Sequence, residues 1–346
     1  MKNIKIKYLF SFFATAFVLV GGFSSCNSDD AASGGSGNPA ITSVALSKEG
    51  DLVPVTVGDP KNYYIIQGTG LSTVSKIYFN DFDTYFNPVL VTDTAIFVLI
   101  DEKTPYANSS NKLKVVTKFG TILYDFMISP PTPKLVSYNP INAVEGDIVT
   151  VSGDYFLNPL VKVGTVDVPV ISSSLTELKF KMPANAANKY VTVTNISGSA
   201  TSKEAIGTAL FDDVWYNDWF YDGGDDKVSL ESSGAAQGNV MIKSINDGWG
   251  GNRFRNKDWG TLDMANYSGI RLFIKGEKAG KVAIILNGHW SDPDAKVIDV
   301  TTEWKEYNLP WNSWPFAVTS LQDIVLKDFT GNKSTYYLDN IGFILK

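Results

Sequence analysis

Asp147-Ile148-Val149-Thr150-Val151-Ser152-Gly153-Asp154-Tyr155-Phe156 is a β-branched run that reaches a glycine and then an aromatic pair. Tyr63-Tyr64-Ile65-Ile66-Gln67-Gly68-Thr69-Gly70-Leu71 has the same grammar. Each is a strand that ends in Gly, and each is followed by another short β-rich run, at residues 75–80 and 160–164. A unit that occurs twice at domain-sized spacing predicts two related domains. Outward from this pair, from residue 39 to the C-terminus, short β-rich runs alternate with Gly, Asn, Asp and Pro, and no long stretch carries a helical period. An all-β chain is expected.

Pro130-Pro131-Thr132-Pro133 separates the two copies. Such a run holds its backbone extended and cannot donate to a sheet ladder, so it reads as a stiff spacer. The N-terminus carries Lys2, Lys5 and Lys7, then an apolar run over residues 8–20, then Gly21, Gly22, Phe23, Ser24, Ser25 and Cys26. The run is shorter than the roughly 20 residues needed to cross a bilayer, and reads as a cleaved secretion signal. Cys26 is the only cysteine, so no disulfide can form within the chain and packed cores must stabilise it. The expected organisation is a signal peptide (1–25), a Gly/Ser-rich tether (26–38), two sandwiches (39–131 and 132–205) and a third domain (206–346).

Several segments resemble known families. The small residues before Cys26 resemble a lipobox, which implies acylation of that thiol, and Asn27-Ser28-Asp29-Asp30 is similar to an acidic tag that directs lipoproteins to the outer face of the outer membrane. The second copy, from Pro133 to about Ala205, resembles an IPT/TIG immunoglobulin-like domain, through Pro140, Glu145-Gly146-Asp147, the Val151-Ser152-Gly153 turn, Met182-Pro183 and Ser197-Gly198-Ser199. The implied fold is two immunoglobulin-like β-sandwiches, read as a stalk, followed by a jelly-roll β-sandwich.

All eight tryptophans lie in the last domain, at 215, 219, 249, 259, 290, 304, 311 and 314. A core does not need eight indoles, because aliphatic residues fill space without an N–H that needs a partner. A pyranose ring has an apolar face and a hydroxyl rim, and flat aromatic surfaces beside amides and guanidinium groups match it. Trp249 lies in Asn246-Asp247-Gly248-Trp249-Gly250-Gly251-Asn252-Arg253, where glycines free the indole, with Asn252 and Arg253 beside it. Trp290 follows Asn287-Gly288-His289, and Trp215 and Trp219 flank Tyr216, Asn217 and Asp218. The expected glycan-binding residues are therefore Trp249, Trp290, Trp215, Trp219, Arg253, Asn252, Asn287 and His289. Trp304 reads as a structural strand residue, Trp259 as core or rim, and Trp311 and Trp314 as a Pro-flanked loop open to either role.

The run from Phe211-Asp212-Asp213 through 263–276 to Tyr337-Leu338-Asp339-Asn340-Ile341-Gly342-Phe343 resembles jelly-roll carbohydrate-binding modules. The whole plan is similar to surface glycan-binding lipoproteins of polysaccharide-utilisation systems. That resemblance implies a polysaccharide ligand, an outer-membrane lipid anchor, and neighbouring transporter and glycan-binding proteins as partners. No cofactor is expected; some jelly-roll modules carry a structural Ca²⁺, and the resemblance would put it near Asp212, Asp213 and Asp339, where three carboxylates fall short of the six to eight oxygens that Ca²⁺ takes. A β-glucan is the first expected ligand, with xyloglucan and mannans behind it.

The rival readings are a jelly-roll glycoside hydrolase and a protein-binding adhesin or structural subunit. The last domain has only Glu231, Glu277, Glu303 and Glu306, none in the Glu-x-Asp-x-x-Glu pattern of jelly-roll glucanases. His289 is the sole histidine and no Gly-x-Ser-x-Gly frame occurs, so neither a His-based metal site nor a serine triad is expected. A net charge of -6 offers no field for nucleic acid.

Overall fold

The computed structural model describes residues 38–223 and 227–346, and the expected signal segment and the expected lipidation at Cys26 lie outside the described residues. Among the described residues no helix is long and apolar enough to cross a membrane. The chain is all-β and folds as two immunoglobulin-like sandwiches followed by a third sandwich.

The two copies share one wiring. In the first sandwich one sheet runs Ala40–Leu46, Tyr63–Thr69, Ala95–Leu99, Phe86–Val91, and faces a sheet ordered Phe82–Thr84, Val74–Phe79, Lys112–Thr117, Gly120–Asp125. The second repeats that order with Lys134–Asn139, Ile148–Asp154, Glu177–Lys181, Val170–Ser173 against Val166–Val168, Leu160–Val163, Tyr190–Asn195, Gly198–Ala205. Alternation sets the faces: Val149 and Val151 are sealed in the core while Ile148 and Ser152 face out.

The glycine shared by the two copies does not end its strand, as the sequence suggests. Gly68 and Gly153 lie inside their strands, opposite a register shift in the first strand of each sandwich. A Cβ on Gly68 would fall 2.0 Å from the Ala40 carbonyl oxygen, and one on Gly153 would fall 1.9 Å from that of Lys134. A bulge brings backbone onto backbone there, and only glycine leaves the room.

The Pro-rich spacer is strapped to the second sandwich: Ser197 Oγ donates to the Pro130 carbonyl and Asn195 Nδ2 to that of Pro131. The third sandwich packs a seven-stranded sheet, centred on Tyr267–Gly276 and Ser334–Leu345, against a five-stranded one. The latter runs Trp219–Tyr221, Gly251–Asn256, Asp323–Asp328, Gly280–Leu286, Lys296–Val300. Between them lies an apolar core that includes Ile242, Phe254, Leu272, Ile284, Leu326, Leu338 and Phe343.

Candidate functional site

Strand alternation in Gly251–Asn256 sends Asn252 and Phe254 inward and leaves Arg253 and Arg255 on the outer side of the five-stranded sheet. Arg253 is the centre of the arrangement. Its guanidinium carbon lies 5.5 Å from the ring centre of Trp259 and 5.5 Å from that of Trp290, so the two rings stand at most twice that distance apart. Both indoles are substantially open to solvent, Trp290 at 46% and Trp259 at 44%.

The neighbouring Arg255 is a support for this face. Its guanidinium lies 4.2 Å from the Trp259 ring centre and 4.9 Å from that of Phe220. Its Nε and Nη2 donate to the Asp222 carboxylate at 2.7 and 3.1 Å, and its Nη1 donates to the carbonyls of Asn256 and Lys257. The Arg255 hydrogen bond holds the Asp222 carboxyl below the usual carboxylate range. On the Trp290 side, His289 stacks on Phe316 with ring centres 3.7 Å apart, and Lys327 pairs with Asp292 at 3.3 Å, tying the Trp290 loop back to the sheet.

Trp249 stands at the other end of the Gly251–Asn256 strand, before it rather than after it. It is 56% exposed and meets Phe329 edge-on at 5.5 Å. The turn that carries it is organised by Asp328, which accepts hydrogen bonds from the backbone N–H groups of Trp249, Thr330 and Gly331 and from the hydroxyls of Thr330, Ser334 and Tyr336. Burial alone would raise the Asp328 pKa, and these donors bring it below the ordinary value instead. A Cβ on Gly331 would sit 2.6 Å from Trp249 Nε1, so this glycine is what lets the indole lie over the turn.

The remaining expected residues fall elsewhere. Trp219 is only 3% exposed and belongs to the core of the third sandwich, so it is not a platform. Trp215 is half-buried, its ring against Phe211 and Phe254, and packs on the core of the third sandwich rather than standing open like Trp249, Trp259 and Trp290. Asn252 points inward, where its Nδ2 donates to Ser244 Oγ, Asn246 Oδ1 and the Ile245 carbonyl, so it is a core polar residue rather than a ligand contact. Asn287 uses both ends of its amide on the neighbouring loop, donating to the Ser320 carbonyl and accepting from the Gln322 N–H. Trp304 lies outside any strand and its Nε1 donates to the Gly234 carbonyl. Trp314 is buried and bonded to the Ile284 carbonyl, and Trp311 is bonded to that of Tyr267.

Trp259, read from sequence as core or rim, is the exposed partner of Trp290. The signal was present in Asn256-Lys257-Asp258-Trp259-Gly260, a polar turn closed by glycine like the one around Trp249. The carboxylates considered for Ca²⁺ are spent on N–H donors. Asp212 accepts from Ile141 N, Asp213 from Asn239 N and Val240 N, and Asp339 from Ala236 N and Gln237 N. Among the described residues no cluster of three or more His, Cys, Asp or Glu is placed to hold a metal ion.

Residues 133–206 match the family model described as IPT/TIG domain. Among solved structures, the chain is similar to the surface glycan-binding protein PbSGBP-B from Prevotella bryantii, at 17% identity and TM-score 0.50, covering 90% of this chain and 99% of that one. It is also similar to SGBP-B from a complex xyloglucan utilization locus in Bacteroides uniformis, at 14% identity and TM-score 0.39, covering 89% and 99%. A third similar structure is the family 30 carbohydrate-binding module of a Clostridium thermocellum cellulosomal cellulase, at 13% identity and TM-score 0.29, covering 36% and 86%. At these identities the likeness is one of fold. No curated protein sequence matches the chain.

Proposed function

We propose that this chain retains a polysaccharide at the cell surface without cleaving it, on the outer face formed by Trp259, Arg253 and Trp290, with Trp249 as a separate contact at the far end of the same strand. The observation that carries the reading is a pair of open indoles whose ring centres each lie 5.5 Å from one guanidinium. Flat apolar rings beside hydrogen-bond donors match both the face and the rim of a sugar. The fold supports the reading, since the Prevotella bryantii protein that shares it is described as a surface glycan-binding protein. Lipidation of Cys26, an outer-membrane position, and work beside transporters and other glycan-binding proteins belong to the same proposal, and a β-glucan remains the first ligand to try.

Catalysis is not part of it. A retaining or inverting hydrolase needs one carboxylic acid with a raised pKa. Asp222, one of the two carboxylates within 4 Å of Arg253 and the one bonded to Arg255, is pulled the other way. Binding is expected to be weak per site. Stacking that removes about 40 Å² of apolar surface contributes about 1 kcal/mol, and two such contacts with a few hydrogen bonds reach about 4 kcal/mol, a Kd on the order of 1 mM. A long polymer held by many copies compensates for that.

Affinity electrophoresis of the mature chain through gels containing soluble plant, algal and fungal polysaccharides tests the proposal. Retardation by at least one polymer without release of reducing sugar is expected, and Trp290→Ala is expected to weaken it about tenfold. Unretarded migration in every gel, or sugar release, would overturn it.

A further inference from the structure

We propose that the polymer held on this face is uncharged, and that Arg253 determines this by donating hydrogen bonds to hydroxyl groups. The inference rests on the reading of the face as a glycan site and adds to it the charge class of the ligand.

The two arginines of the strand differ in what they have left to give. Every nitrogen of Arg255 is engaged within the protein, on Asp222 and two backbone carbonyls. Arg253 makes no hydrogen bond with its side chain among the described residues. Its Nε is buried without a partner, and its nearest carboxylates lie at 3.7 Å (Asp323) and 3.9 Å (Asp222), beyond hydrogen-bond reach. The guanidinium is therefore held in place by charge and by the neighbouring rings, and the donors it has left for a ligand are its two Nη groups, beside two sugar-sized platforms.

Its charge, by contrast, is already balanced. Asp222 and Asp323 offset Arg253 and Arg255, Asp292 offsets Lys327, and Asp294 lies beside His289. Lys257 and Asp258, in the turn that carries Trp259, add one formal charge of each sign. A uronate carboxylate brought to Arg253 would meet two carboxylates that already stand within 4 Å of the same guanidinium. A hydroxyl pair would meet none of that repulsion, and the fixed fork of a guanidinium suits two adjacent oxygens in a way that a lysine ammonium does not.

The test uses the mature full chain against bead-coupled polymers: a β-glucan, xyloglucan, galactomannan and galactan as the uncharged set, polygalacturonate and alginate as the charged set. Retention on one or more of the uncharged set is expected, with Kd changing less than about twofold between low salt and about 0.5 M NaCl. Both Arg253→Gln and Arg253→Lys are expected to weaken retention about tenfold or more at unchanged melting temperature. Retention by a polyuronate that fades with salt would overturn the charge class and leave glycan binding standing, and wild-type affinity in Arg253→Lys would overturn the hydroxyl-reading role. Retention of none of the six, or equal retention by wild type, Arg253→Gln and Trp290→Ala, would overturn the site itself.

Discussion

Trp249 and Trp259 hold left-handed backbone conformations, with φ of 62° and 56°. Bulky residues rarely adopt that region, and holding one there costs on the order of 1 to 3 kcal/mol. Most other non-glycine residues with positive φ in this chain are Asn or Asp, which tolerate it through local hydrogen bonds. Both strained tryptophans are exposed. For Trp259, relief of strain in Trp259→Asn should largely offset the lost stacking on Arg255, so stability is expected to move by less than about 1 kcal/mol while glycan retention falls about tenfold. Trp219→Ala should do the reverse: emptying a core site costs about 3 to 5 kcal/mol, read as a lower denaturation midpoint. Equal stability loss in the two variants would refute this division of roles. Sequence reading misplaced Trp219 and left Trp259 between core and rim for one reason. Trp219 opens the three-residue strand Trp219–Tyr221, too short for alternation to show which way its side chain points, and Trp259 sits in a turn with no periodicity at all.

At the level of the element, the duplicated strand was legible because the β-branched run and the glycine recur together, and the all-β sandwich class followed from it. What the glycine does was not legible. A turn and a bulge both favour glycine, and only the distance to the neighbouring strand separates them. Gly153→Ala would place a methyl group 1.9 Å from the Lys134 carbonyl oxygen, and Gly68→Ala would do the same at 2.0 Å from that of Ala40. Neither obstacle is the far end of a flexible side chain, so the first strand must move away from its sheet. Each substitution is expected to destabilise its sandwich by more than about 2 kcal/mol in denaturant unfolding. Gly50→Ala is the control, since its Cβ meets nothing within 4 Å and only its φ of 99° opposes the change, which should cost about 1 kcal/mol. If Gly153→Ala proved as mild as Gly50→Ala, the bulge would not be what the glycine is for.

The whole molecule adds a joint between residues 67 to 136 positions apart, which no local pattern reveals. At the seam between the second and third sandwiches, Asp212 accepts from the Ile141 N–H at 2.7 Å, Asn142 exchanges two hydrogen bonds with Ala209, and Asn340 bridges Glu204 and Arg271. Asp212, Glu204, Arg271 and Asn340 are buried and Asn142 half-buried, so the seam fixes the attitude of the binding domain on its stalk only while each polar partner is satisfied. Asp339 lies in the third sandwich close to this seam. Burial pushes its pKa up to about 6 despite three backbone N–H donors, and burial raises that of Asp212 as well. A carboxyl whose folded pKa lies above its unfolded value near 3.9 adds stability that is fully present below about pH 4 and is lost as pH rises through about 6. From these groups the third sandwich should therefore be more stable at pH 5 than at pH 7, by on the order of 1 to 2 kcal/mol. Melting curves of wild type and Asp339→Asn across that range check the assignment: the variant should show a flatter dependence, and an identical slope in both proteins would place the titrating group elsewhere. Because Asp339 belongs to the seven-stranded sheet and the proposed binding face to the five-stranded one, retention of polymer by the folded protein should stay level over the same interval, which separates a change in stability from a change in the binding face.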